Sequence, residues 1–243
     1  MSNFNINGKS VLITGANRGI GLALVEKALE KGAAKIYATY RSEANRAAPA
    51  DVDERVIPVH LDLADKKTIE QLSEAVPELD VLINNAGIFS AADLLGDTEE
   101  QLRNDLETNF FGALSVTKAL LSSLRKNDAS AIANLSSVTG LASMPSFGGY
   151  SVSKAAVHSM TQSLRGKLKS EGISVHGVYP GPVATRMTEG MEMDTTPASV
   201  VAENILTGIE NGVEEIFPDL MSEQVGPLFL SSPKTLEGNF AAF

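Results

Sequence analysis

No cysteine occurs among the 243 residues. A disulfide scaffold and a thiolate zinc site are therefore excluded, and the absence fits a reducing compartment. Histidine is nearly as scarce. His60, His158 and His176 are scattered without ligand spacing, so no metal is expected and all three are read as structural. No uninterrupted apolar stretch approaches the roughly 20 residues that cross a bilayer. The first nine residues are polar and lack the apolar core of a secretory signal. Both features point to a cytoplasmic protein without a membrane partner. A basic excess is also missing: 20 Lys and Arg stand against 30 Asp and Glu, for a net charge of −10. A nucleic-acid binder would show a basic footprint. The acidic balance reads as solubility. There is no internal repeat, low-complexity tract or Pro/Ser/Gly-rich linker, so residues 1–243 are expected to form a single domain with a sizeable core.

What is present is an alternation of short apolar or β-branched runs with longer stretches of helical spacing. Strands are expected at residues 9–13, 35–40, 55–60, 80–84, 130–135, 173–179 and 214–217. Helices are expected at 20–30, 65–76 with Asp65 as cap, 98–125 bent near Gly112, 150–171 and 196–210. Such alternation argues for an α/β doubly wound parallel sheet of about seven strands with helices on both faces, a Rossmann fold. In that architecture ligands sit outside the carboxyl ends of the strands.

The loop after the first strand reads Thr14-Gly15-Ala16-Asn17-Arg18-Gly19-Ile20-Gly21 and opens into a helix. Glycines let the backbone approach a pyrophosphate, and the helix N-terminus favours the anion. The spacing is G-x-x-x-G-x-G rather than G-x-G-x-x-G, so the strand–turn–helix context carries the assignment. The second strand runs out as Thr39-Tyr40-Arg41, without a carboxylate for a ribose 2′-hydroxyl. Arg41 and Arg18 together favour a 2′-phosphate, hence NADP(H). Glu43, two residues on, is a competing partner for Arg41.

Tyr150 and Lys154 are spaced i, i+4 at a helix start and share a face. An adjacent ammonium lowers a tyrosine from its ordinary value of about 10 and makes it an acid–base group. Alone, Y-x-x-x-K occurs by chance in many helices. Its context is a set of small polar or glycine-rich loops at one sheet edge: Asn84-Asn85-Ala86-Gly87, Ser136-Ser137 and Pro180-Gly181-Pro182-Val183-Ala184-Thr185.

This ordered set resembles the short-chain dehydrogenase/reductase family over roughly residues 8–217. The glycine turn, Asp62-Leu63 at the adenine-contacting position, Asn84-Asn85-Ala86-Gly87, Asn109, Ser137 placed 13 positions before Tyr150, and Tyr150-x-x-x-Lys154 all fall in the family's order. The resemblance implies an NADPH-dependent carbonyl reductase. Tyr150 would protonate the carbonyl oxygen, and Ser137 would orient it. Lys154 would bind the nicotinamide ribose and lower the tyrosine's value, and Asn109 would hold a relay water. Cofactor contacts would come from Gly15, Asn17, Arg18, Gly19, Ile20, Gly21, Arg41, Asp62, Leu63, Asn85, Ala86, Gly87, Tyr150, Lys154, Pro180, Gly181, Val183 and Thr185. Residues 183–199 would form the substrate lid. Met187 and Met191, with Met144 and Phe147, would line an apolar site beside Ser137 and Tyr150.

Residues 218–243 depart from the family's threonine-glycine turn and glycine-rich last strand. The resemblance therefore implies a homodimer, with a homotetramer as alternative, and the apolar end at 240–243 is expected to dock on the body or on a neighbouring subunit. Two other functions stay open: a 3-oxoacyl thioester reductase or alcohol dehydrogenase of the same family, and a non-catalytic NADP(H)-binding redox sensor. A basic patch for an acidic carrier would favour the thioester, and Arg125-Lys126 with Arg165, Lys167 and Lys169 are its candidates.

Overall fold

A computed structural model describes residues 4–45, 53–96, 98–190 and 192–242. In chain order the elements begin β1 (Ser10–Ile13), α1 (Gly19–Glu30), β2 (Lys35–Tyr40), β3 (Val56–His60), α2 (Lys66–Glu70), α3 (Leu72–Ala75) and β4 (Val81–Asn84). They continue α4 (Glu99–Leu106), α5 (Ala113–Leu124), β5 (Ser130–Leu135), α6 (Gly148–Leu168) and β6 (Ile173–Val178). The chain finishes β7 (Val183–Ala184), β8 (Thr196–Pro197), α7 (Ala198–Glu210), β9 (Glu215–Ile216), α8 (Leu220–Ser231) and α9 (Pro233–Phe240).

The main sheet has seven strands in the order β3-β2-β1-β4-β5-β6-β9, and every pairing is parallel. This is the doubly wound Rossmann arrangement, and the order reverses between β1 and β4. Strand residues alternate between two cores. Val11 and Ile13 of β1, Val81 and Ile83 of β4, and Ala131 and Ala133 of β5 pack with α1 and α7. Leu12, Leu82 and Ile132 face the other way, against α5. The alanines make β5 weak by propensity, but all six of its residues are buried between β4 and β6, and burial decides.

Several boundaries differ from expectation. The helix expected over 65–76 breaks into α2 and α3, although Asp65 caps it as predicted by accepting from the Lys67 N–H. The stretch 98–125 is two α-helices joined by a π-helical turn, Glu107–Gly112, rather than one bent at glycine. Thr98 starts it with a capping box to Gln101. Helix α6 begins two residues before Tyr150, and Thr196–Pro197 pairs with Val183–Ala184 as a two-stranded ribbon instead of opening α7.

Residues 218–243 were given no elements by the sequence, yet they hold α8 and α9. Asp219 caps α8 reciprocally with Ser222, and Pro233 stands in the first turn of α9. Phe240 is buried with Leu236, Val225, Val138 and Met144. The end of the chain thus docks on the body at Phe240; Phe243 lies outside the described residues. Among the described residues no helix is long and apolar enough to cross a membrane.

Candidate active site

The carboxyl ends of β1, β4, β5 and β6 converge on one edge, and the predicted residues meet there. The glycine turn is held from two sides. Thr39 Oγ1 accepts from the Gly15 N–H and the Thr39 carbonyl from the Ala16 N–H, both at 3.0 Å. Asn85 Nδ2 donates to the Thr14 carbonyl at 2.8 Å, and Thr14 Oγ1 accepts from the N–H groups of Asn85 and Ala86 at 2.9 Å. The turn, the end of β2 and the Asn84–Gly87 loop are therefore one hydrogen-bonded unit. Gly19 has φ +54°, a left-handed conformation, and a side chain there would meet Thr185 Cγ2 at 3.1 Å. This brings the loop after β6 against the turn. No side chain caps the N-terminus of α1, and no acid lies in its first turn, so its leading N–H groups face an anion freely.

Arg18 and Arg41 are exposed, and among the described residues neither forms an ion pair. Glu43, the expected competitor, accepts from the Tyr40 hydroxyl at 2.8 Å. Asp62 is half-buried, with its carboxylate accepting from the Ala64 N–H. Leu63 lies against Gly112 of the π turn.

Ser137 follows β5 and caps a short turn, Val138–Gly140. Its hydroxyl accepts from the Thr139 N–H at 3.2 Å and donates to the Pro180 carbonyl at 3.3 Å. Tyr150 and Lys154 occupy the first two turns of α6. Lys154 Nζ lies 5.5 Å from the Tyr150 ring centre and donates to the Leu135 carbonyl at 2.8 Å. Asn109 sits on the π turn, 2% exposed. Its Oδ1 accepts from the Ile88 N–H at 2.8 Å, and its Nδ2 donates to the Ile88 carbonyl at 3.0 Å and to Ser153 Oγ at 2.8 Å. Ser153 in turn donates to the Tyr150 carbonyl. The amide thereby ties the loop after β4 to the first turn of α6. A side chain at Gly87 would meet Asn109 Oδ1 at 2.9 Å and Lys154 Nζ at 3.5 Å. Glycine leaves this space open, a cradle that suits the nicotinamide end of a dinucleotide.

The electrostatics correct one expectation. Lys154 was expected to lower the tyrosine. Burial instead pushes the Tyr150 phenol above its ordinary value; the neighbouring Ser137 hydroxyl offsets part of this, and the Asp105 carboxylate adds to it. Lys154 is itself pulled down to about 8 by burial, against the attraction of Asp105. The ammonium's hydrogen bond goes to the Leu135 carbonyl and not to the phenol.

Of the expected substrate residues, Phe147 packs edge-on to Phe89 at 5.1 Å, and Phe89 packs edge-on to Tyr150 at 5.1 Å. Met144 is 6% exposed, its side chain committed to the cluster that docks α9. Met187 is half exposed on the strap between β7 and β8, and Met191 lies outside the described residues. The sequence reading missed Met221 and Asp219. Asp219 Oδ2 accepts from the Gly181 N–H at 2.8 Å, and Met221 packs where a Gly181 side chain would be. The signal available was the Asp-x-x-Ser cap of α8. The candidate carrier residues lie away from the site, with their arginines paired. Arg125 pairs with Glu171 and Arg165 with Glu215, where β5 and β6 begin, the edge opposite the site.

The three histidines take structural bonds. His176 meets the Val213 carbonyl and Ser174, His60 the Arg41 carbonyl, and His158 the Tyr179 hydroxyl at 2.7 Å.

A phosphate-ready glycine turn on a doubly wound parallel sheet, facing a tyrosine, a serine and a buried lysine, defines an oxidoreductase of the Rossmann class. The family model described as short chain dehydrogenase matches residues 9–196, and the chain belongs to that family. It is 34% identical over 188 residues to the 3-oxoacyl-[acyl-carrier-protein] reductase of Haemophilus influenzae, covering 76% of this chain and 78% of that one. The enzyme of the same name from Vibrio harveyi is 31% identical over 235 residues, covering 95% and 92%. A short chain dehydrogenase from Burkholderia cenocepacia, solved in complex with NADP, superposes with a TM-score of 0.91 at 29% identity, over 98% of this chain and 99% of that one.

Proposed function

We propose that the protein reduces a ketone or aldehyde to the alcohol with NADPH. The observation that carries this reading is the gathering of Tyr150, Ser137 and Lys154 at the carboxyl edge of the sheet, with Lys154 Nζ 5.5 Å from the Tyr150 ring centre and the phenol kept protonated by burial. A protonated acid beside a second hydroxyl is what a carbonyl oxygen requires as it gains charge. The nicotinamide, when bound, supplies a hydride to the carbonyl carbon.

The chain's own groups do the rest. Gly15, Asn17, Gly19, Ile20 and Gly21 hold the pyrophosphate, while Arg18 and Arg41 take the 2′-phosphate. Asp62 and Leu63 border the adenine. Asn85–Gly87, Pro180, Gly181, Val183 and Thr185 orient the nicotinamide half. Ser137 donates to the carbonyl oxygen, and Tyr150 delivers its phenolic proton there, becoming a phenolate that the Lys154 ammonium stabilises. Asn109, bracketing Ile88, lines the route by which the proton is replaced. Residues 1–243 act as one cofactor-binding domain, with 183–199 as its lid. A homodimer belongs to the same reading, supported by outward-facing Phe111 and Val152, 46% and 45% exposed on the π turn and α6.

The test follows reduced-nicotinamide absorbance with NADPH and NADH over ketones, aldehydes and acetoacetyl-CoA, with Tyr150→Phe in parallel. Consumption of NADPH that collapses in the variant is expected. Measurable NADPH binding without turnover of any carbonyl would overturn the reading in favour of a sensor. Likeness to the two 3-oxoacyl reductases favours a second reading, reduction of a 3-oxoacyl thioester; acetoacetyl-CoA outperforming simple ketones would select it. Arg125 and Arg165, paired and at the far edge, add nothing to that reading.

A further inference from the structure

Among the described residues, Asp105 is a carboxylate whose charge reaches both Tyr150 and Lys154 and which has no part in the proposed reaction. It lies on α4, one turn before Asn109, and is 0% exposed. Its Oδ2 accepts from Ser90 Oγ at 2.7 Å, and its Oδ1 is buried with no hydrogen-bond partner among the described residues. Ser90 sits on the loop that Asn109 grips at Ile88 and that lays Phe89 on the Tyr150 ring. The carboxyl is therefore built into the back wall of the site.

A charged group in such a place must answer to an opposite charge. From α6 the titratable groups facing it are Lys154 and Tyr150. The loop offers the hydroxyl and the backbone amide of Ser90, and the π turn offers Asn109, which is neutral. Glu107 of the π turn is exposed, and Arg103 of its own helix pairs with Glu99 on the outer face.

We propose that Asp105 is a positioning residue for catalysis: its buried carboxylate, held by Ser90 in the back wall of the site, is the countercharge to the Lys154 ammonium. This rests on the reductase reading. Its physical basis is that a negative charge favours the protonated form of every neighbour. Burial alone drags Lys154 towards neutrality, and Asp105 acts against that; the same charge adds to the rise at Tyr150. The effect on Lys154 is the one that matters near neutrality, since the phenol is already protonated there. Lys154 reciprocates by opposing the rise that burial imposes on Asp105.

The test is Asp105→Asn, which keeps the volume and a partner for Ser90 but removes the charge. The titration of Lys154 is read by ¹⁵N NMR of its ammonium. That of Tyr150 is read from tyrosinate absorbance, assigned by difference with Tyr150→Phe in a chain that has no tryptophan. Both midpoints are expected to fall by about half a pH unit or more. The alkaline limb of carbonyl reduction should move down with them, and kcat/KM at pH 8 should drop about threefold. Unchanged midpoints in a folded variant would overturn the proposal. If the variant does not fold, ¹³C NMR of the Asp105 carboxyl in the unaltered protein decides: a carboxylate at pH 7 is expected, and a neutral acid there sinks the idea. The titrations need no turnover, so failure of the reductase reading shows separately, as absent activity with the midpoints still measurable.

Discussion

The Lys154 ammonium stands 5.5 Å from the centre of the Tyr150 ring, yet it gives its hydrogen bond to the carbonyl of Leu135, the last residue of β5. The sheet edge therefore anchors the cation. Burial brings Lys154 to about 8, and the ammonium is the useful form. Activity is accordingly full below that pH and is lost as pH rises through about 8. A kcat/KM profile for carbonyl reduction checks this; a limb that stays flat beyond pH 9 contradicts it.

Ser137 is proposed as the donor to the developing oxyanion. Ser137→Ala should lower kcat by about 10²-fold, the usual effect of deleting one such donor, while NADPH affinity stays within about twofold. Turnover and fluorescence titration of the cofactor separate the two. A change confined to KM would remove Ser137 from the chemistry.

Arg18 and Arg41 are exposed and without ion-pair partners among the described residues. Arg41→Ala should raise KM for NADPH about tenfold, or ~1.4 kcal/mol, and leave KM for NADH nearly unchanged. Arg18→Ala should act in the same direction. Equal losses with both cofactors would show that these residues do not read the 2′-phosphate.

Asp80 joins the starts of β1 and β4. It accepts from Lys9 Nζ and the Ser10 N–H at 2.9 Å and from Ser10 Oγ at 2.8 Å. Burial alone would raise its value, but the Ser10 amide, the Lys9 ammonium and the Ser10 hydroxyl together bring it below the ordinary one. A carboxyl lowered by folding stabilises the protein above its unfolded value of about 4, and that gain is lost as pH falls through the folded value. Asp80→Asn should cost on the order of 1–2 kcal/mol at pH 7 and much less near pH 2. Urea melts at the two pH values measure the difference.

Phe240 is 3% exposed and plugs α9 into the cluster around Val138 and Met144. Phe240→Ala should cost about 3–5 kcal/mol in stability. Hydrogen exchange should show α8 and α9 opening first. Uniform loss across the sheet would mean that the C-terminal helices are not a separate cooperative unit.

The sheet and most helices were legible because their periodicities are local. Val11, Leu12 and Ile13 announce a strand buried on both faces without reference to anything else. The glycine turn, Asn109, Ser137, Tyr150 and Lys154 were legible as an ordered set with one spacing check. Asp105 was not: its significance is burial against α6, and no motif in α4 encodes that. The rise at Tyr150 was hidden for the same reason, since i, i+4 spacing reports a neighbour but not the solvent removed around it. Helix α9 was obscured by its length of eight residues, and α8 by Pro227 inside it and by Ser222, rather than Glu or Gln, answering the Asp219 cap. The π turn came out only as a bend, because its extra residue leaves the sequence pattern intact while shifting the register that aims Asn109 at Ile88.

Thr39 clasps the glycine turn from inside β2, whereas Arg41 hangs just past the last paired residue, Tyr40. The residue that shapes the turn and the residue proposed to read the 2′-phosphate are thus neighbours in sequence held by different partners. Whatever follows Tyr40 can be exchanged without loosening the grip on the pyrophosphate. A lineage built on this plan can change its supply of reducing power and leave its reaction untouched.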